Sequence, residues 1–130
     1  MNASQAMNAY KTVGVHSSVE DASPHHLIAM LFDGALDRIA SAKGAMERGD
    51  TGVQGALLGK AITIIDNMRA SLDHQQGGEL AGKLADLYDY MERRLLEAGT
   101  KADPEILDEV SGLLREVKSG WDQIPESFRR

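Results

Sequence analysis

The chain has 130 residues, room for one domain around one hydrophobic core and too few for a second compact unit. Its 42% hydrophobic and 26% charged residues suit a self-folding globular domain, and its 14 Lys and Arg against 20 Asp and Glu leave a formal charge of -6. That balance argues against a surface that tracks nucleic-acid phosphates or lies on an anionic membrane, which needs a clustered positive face. Cysteine is absent, so neither disulfides nor thiolate metal sites are available, as suits a reducing compartment. The opening MNASQAMNAYKTVG lacks the apolar stretch of a signal peptide, and no run approaches the ~20 apolar residues of a membrane span. A cytoplasmic location without membrane insertion is expected.

In chain order, residues 1–22 read as an N-terminal arm, 23–125 as four helices and 126–130 as a C-terminal tail. The arm has no strong helical stripe but carries Met7, Tyr10, Val13 and Val15, apolar side chains that either dock on the rest of the molecule or fray. Ser23-Pro24 is an N-cap followed by proline at the first helical position, and the first helix is expected to run to about Arg48. Gly49 can end it, and Thr51 with Gln54 has the spacing of a capping box for the second. The second helix should fade near Gln75-Gln76, where Gly77-Gly78 breaks the pattern before Glu79 favours a new start. The third ends by Gly99. Asp103-Pro104-Glu105 caps the fourth, which Pro125 stops. Such short connections predict an all-α, antiparallel, up-down-up-down four-helix bundle with an N-terminal arm.

At ~100° per residue, three of the four helices show one ordinary core stripe. The first places Ile28, Leu31, Phe32, Ala35, Ile39, Ala42 and Met46 together. The third groups Leu80, Leu84, Leu87, Met91 and Leu95, flanked by Tyr88, and the fourth Ile106, Leu107, Val110, Leu113, Leu114, Val117 and Trp121. The second helix differs: Val53, Leu57, Leu58, Ala61, Ile62, Ile64, Ile65, Met68 and Leu72 spread over ~180°, more than one core-facing side requires. Either this helix is the most central of the four or it offers a groove to a partner. Beside the third helix's core stripe, Ala81, Ala85 and Leu96 form a second strip of mostly small side chains along which a partner helix could approach.

Chemistry-bearing constellations are sparse. His25 and His26 are neighbours on a first turn and diverge by ~100°, a poor arrangement for chelation, and no Glu-x-x-His pairs of a di-iron bundle occur. A histidine phosphotransfer bundle is a fairer comparison. It wants a reactive histidine midway along a helix, whereas His25, His26 and His74 read as solvated helix-end residues and His16 lies in the arm. Asp33 and Asp37 have Arg38 and Lys43 nearby, and Glu92-Arg93-Arg94 reads as a solvated face. No nucleophile elbow or phosphate loop is present, so neither catalytic residues, metal ligands nor a cofactor are assigned.

From Tyr10 to Trp121 the chain resembles the flagellar export chaperone family FliS. The resemblance is carried by Ala9-Tyr10, by Ser23-Pro24 with Leu27-Ile28 and Met30 through Leu36, by Lys60-Ala61 with Ile64-Ile65, by Leu72-Asp73 with Gly77 through Ala81, by Leu84 with Leu87 through Met91, and by Trp121. Phe32 stands where tyrosine is usual and Gly99 where asparagine is frequent. The resemblance implies an antiparallel helical bundle that binds the C-terminal helical region of flagellin in the cytoplasm, one to one. It also implies that the chaperone prevents premature polymerisation and presents its client to the flagellar type III export gate. Val53, Leu57, Ile64, Ala81, Ala85 and Leu96 are then the candidate groove, with Leu58 and Ile62 as the alternative edge. Tyr10 is the candidate that plugs the groove or touches the export machinery. A phosphotransfer bundle and a non-catalytic bundle that dimerises through its free apolar face remain the alternatives.

Overall fold

A computed structural model describes residues 3–9 and 23–123, which form five helices. They are α1 (Ala3–Ala9), α2 (Pro24–Glu47), α3 (Thr51–Ala70), α4 (His74–Lys101) and α5 (Pro104–Asp122). The four long helices close into a ring in which α2 and α4 each pack against both α3 and α5, while α1 lies on α4. Contacts between neighbours run from the start of one helix to the end of the next. Gln54 reaches the carbonyl of Gly99, Lys43 pairs with Asp108, and Lys118 pairs with Asp33, the register of antiparallel neighbours.

The caps explain the boundaries and correct three of them. Ser23 accepts a hydrogen bond from the His26 amide, with Pro24 at the first position, as the sequence suggests. At α3 the N-cap is Asp50, which accepts from the Val53 amide at 3.2 Å, so the Thr51–Gln54 capping box does not form. Gln54 is instead buried, its Nε2 donating to the Gly99 carbonyl. Helix α3 stops at Ala70, short of Gln75, because Asp73 caps a new helix by accepting from the amides of Gln75 and Gln76. The Gly77-Gly78 break is a kink inside α4. Gly78 sits at φ 54°, ψ -132°, a conformation closed to residues with a side chain. Helix α4 also runs two residues past Gly99, ending where Ala102 takes the left-handed conformation at φ 51°.

The core follows the stripes, with the centre of gravity shifted. Ile28, Phe32, Ala35, Ile39, Ala42, Leu84, Met91, Leu95, Ile106, Leu107, Val110, Leu114 and Trp121 are buried, and Tyr88, expected at the flank of its stripe, is fully enclosed at the centre. The arm also contributes. Although residues 3–9 carry no strong stripe, they are helical, because Ala6 and Ala9 join the core cluster and tertiary packing can hold a helix that is too short to persist alone. The side chain of Met7, and Tyr10, Val13, Val15, His16 and Pro125, lie outside the described residues.

At the end of the bundle where α2 begins and α5 finishes, His25 and Trp121 form a reciprocal clasp. Their rings stack at 5.0 Å with 6° between planes, the Trp121 indole N–H donates to the His25 carbonyl at 2.9 Å, and His25 Nε2 donates to the Trp121 carbonyl at 2.7 Å. His25 is therefore a packed core-edge residue and not a solvated one, whereas His26 and His74 are exposed.

Between α4 and α5 the Tyr90 hydroxyl and Arg94 both donate to Glu109, and Arg94 also pairs with Glu97. The Tyr90 hydrogen bond, with Arg94 second, holds the Glu109 carboxyl below its ordinary value. A depressed carboxyl contributes stability above its unfolded value and loses it as pH falls through the folded one. Urea unfolding of Glu109→Gln should accordingly match wild type at strongly acidic pH and fall below it at neutral pH.

Candidate partner-binding surface

The excess width of α3 resolves into a buried middle and two open edges. Leu58, Ala61, Ile65, Met68 and Leu72 are buried. On one edge Ile64 faces α2, its Cδ1 3.4 Å from where a Cβ on Gly34 would lie, with Leu57 two turns and Val53 three turns nearer the helix start. Val53 is 44% exposed, while Leu57 and Ile64 are half-buried. A depression of about 520 Å³ runs along this edge, lined by Arg38, Ala56, Gly59, Lys60, Thr63 and Ile64.

The other edge meets α4. Leu58 Cδ1 lies 3.3 Å from where a Cβ on Gly99 would sit, and Ile62, half-buried, is one turn on. Leu96 stands one turn before Gly99 and is 61% exposed, the most open large apolar side chain among the described residues. Ala85 is half-buried on the same side. The six bundle residues expected to form one groove are thus divided: Val53, Leu57 and Ile64 border α2, whereas Ala85 and Leu96 border the α3–α4 seam. Between the edges the outer face of α3 carries Gly52, Gly55, Ala56 and Gly59, all exposed.

Ala81 needs a correction. It was expected on an open strip but has no exposed surface, because it lies beside Gly77 where Ala9 of α1 packs. A Cβ on Gly77 would lie 2.7 Å from Ala9 Cα and 2.9 Å from Ala81 Cβ, so the backbone of α1 passes directly over this corner. The Asp73 amide fixes it there by donating to the Ala9 carbonyl at 2.6 Å. Tyr10, the next residue along, lies outside the described residues.

Further along the α3–α4 seam the surface becomes charged. Arg69 lies 2.6 Å from Asp66, 3.4 Å from Glu92 and 3.9 Å from Asp89. Glu92 is thus part of the seam rather than of a solvated face, and burial, then the Asp66 charge, push its carboxyl above the ordinary 4.5. Among the described residues no three His, Cys, Asp or Glu side chains are grouped to hold a metal ion, and no helix is long and apolar enough to cross a membrane.

The family model described as flagellar protein FliS matches residues 6–127, nearly the whole chain. The chain belongs to the FliS family. It is 54% identical over 124 residues to the flagellar secretion chaperone FliSB of Pseudomonas aeruginosa, covering 95% of this chain and 98% of that protein. It is 47% identical to the flagellar secretion chaperone FliS of Salmonella typhimurium over 125 residues (95% and 93%), and 43% identical to that of Vibrio cholerae over 123 residues (95% and 90%). As a FliS-family protein the chain is a helical-bundle chaperone of flagellum biogenesis. The span matched to FliS includes α1 from Ala6 onward, Tyr10, both edges of α3 and the His25–Trp121 clasp. Sequence reasoning missed the clasp and the closeness of α1 to Gly77. A buried tryptophan that needs a partner for its N–H was the available signal for the first, and a glycine without a turn of its own for the second.

Proposed function

We propose that this FliS-family chain binds the C-terminal helical region of flagellin in the cytoplasm, one to one. Binding keeps flagellin from polymerising early, and the complex is delivered to the flagellar type III export gate, with no chemical step. The observation that carries this reading is the open apolar surface on both flanks of α3, Val53 on one and Leu96 of α4 on the other, joined by a glycine-rich outer face over which a client segment can lie close to the backbone. Val53, Leu57 and Ile64 would receive one part of the client and Ala85 and Leu96 another, so the client wraps across α3 by helix-in-groove contacts. Each large apolar client side chain buried there contributes about 1.5–3 kcal/mol, enough in sum to offset ordering of a flexible terminus.

Helix α1 covers Ala81, so a client reaching that corner would have to displace the arm. Tyr10, which follows α1 directly, is the arm residue we assign to plugging the groove or touching the export machinery. A flagellin C-terminal peptide titrated calorimetrically should bind at micromolar concentration or tighter, and the double change Val53→Glu with Leu96→Glu should weaken it at least about tenfold, or ~1.4 kcal/mol. Both sites are exposed, so the fold should survive. Absence of wild-type binding would sink the reading, and unchanged affinity in the double variant would sink the placement. Tyr10→Ala that left both affinity and secretion intact would remove that residue from the proposal.

A further inference from the structure

The charged end of the α3–α4 seam holds three carboxylates, Asp66, Asp89 and Glu92, around the single guanidinium of Arg69. Glu92 is the most enclosed of them, with 15% of its side chain exposed against 50% for both aspartates. Its Oε2 is fully buried and has no hydrogen-bond partner among the described residues. Arg69 Nε lies 3.4 Å away, close enough for attraction but without hydrogen-bond alignment, and the guanidinium is drawn to Asp66 at 2.6 Å. An enclosed carboxylate oxygen without a donor is an expensive group, and the simplest remedy is a proton of its own. Asp66, on the facing helix, shares that guanidinium with Glu92, so two carboxylates stand on one cation and a proton on Glu92 relieves both.

We propose that Glu92 and Asp66 share one proton across the α3–α4 seam, forming a pH-sensitive latch that holds the two helices together when protonated and loosens when the proton leaves. Among the described residues the groups around it are few. Helix α3 presents Asp66 and Arg69, and α4 itself presents Asp89, whose carboxylate also holds Arg93 at 3.0 Å. Helix α5 sets Glu109 against Arg94 on the opposite edge of α4, and α1 has no titratable side chain. Burial and the Asp66 charge both raise the Glu92 carboxyl above 4.5. The proton's contribution is therefore complete below the unfolded value and disappears as pH rises through the raised folded one. A client lying over the seam would enclose Glu92 further and favour the proton; that extension rests on the proposed function, whereas the latch in the free chain does not.

Carbon-detected NMR of the Glu92 side-chain carboxyl in the full chain, without client, tests the latch. Its titration midpoint should lie above 4.5, and Asp66→Asn should lower it. Glu92→Gln mimics the protonated state, so its urea midpoint should equal that of wild type in acid and exceed it progressively as pH rises. A Glu92 midpoint at or below 4.5, or a Glu92→Gln effect independent of pH as a purely structural role would give, overturns the proposal.

Discussion

Trp121→Ala should lower the stability of the bundle by about 3–5 kcal/mol, the range for removing a large buried aromatic from a core. The indole is 2% exposed and joins the two ends of the chain's bundle segment, stacking on His25 and donating to its carbonyl. Truncation removes the stacked ring, one hydrogen bond and the packing that keeps His25 out of water. Trp121→Phe keeps a ring and loses the N–H, so it should recover much of the deficit and leave a loss nearer 0.5–1.5 kcal/mol for the hydrogen bond. Denaturant unfolding followed by circular dichroism separates the two variants. A deficit under about 1 kcal/mol for Trp121→Ala would mean that the last turn of α5 contributes little to the fold.

Gly77→Ala should detach α1 while leaving the four-helix ring standing. The new methyl would stand 2.7 Å from the Ala9 Cα and 2.9 Å from the Ala81 Cβ, neither of which is the end of a flexible side chain that can swing aside. Overpacking of this kind costs about 1–3 kcal/mol. Ala6, Ala9 and the Asp73–Ala9 hydrogen bond are among the anchors of the seven-residue α1, and yielding in so short a helix is cheaper than bending the 28-residue α4. The Asp73 amide should then exchange with solvent about tenfold faster or more, and proteases should cut the first residues readily. Should the arm compete with the client, as proposed, the same variant should bind flagellin peptide more tightly. Gly78→Ala is the informative comparison: nothing lies within 4 Å of its Cβ position, but φ 54° with ψ -132° is strained for alanine. It should cost global stability without releasing α1.

The sequence foretold the architecture because most of its signals were local. Ser23-Pro24 and Asp103-Pro104 act through their own neighbours, and the stripes of α2, α4 and α5 need only the helical period. What escaped depends on residues far apart in the chain. Asp50 could displace Thr51 as a cap because Gln54 had a better use on Gly99, 45 positions away. His25 looked solvated because Trp121 is 96 residues distant. The apolar width of α3 was legible, but a helical wheel cannot say which neighbour each edge meets; Ile64 near Gly34 and Leu58 near Gly99 decide that. Ala81 escaped for the same reason, since Ala9 of α1, far away in the chain, closes over that corner.

The bare outer face of α3 also bears on heat resistance. Gly52, Gly55 and Gly59 each have open space where a side chain would go, and each lies inside a helix, where glycine is less favourable than alanine by about 0.5–1 kcal/mol. No described residue requires them to be glycine, so replacing all three with alanine should raise the melting temperature by several degrees. The methyl groups would at the same time stand between the α3 backbone and whatever rests on it. A variant selected only for thermal endurance would thus drift toward a smoother, sturdier helix and a poorer fit, and the native α3 sits on the yielding side of that exchange.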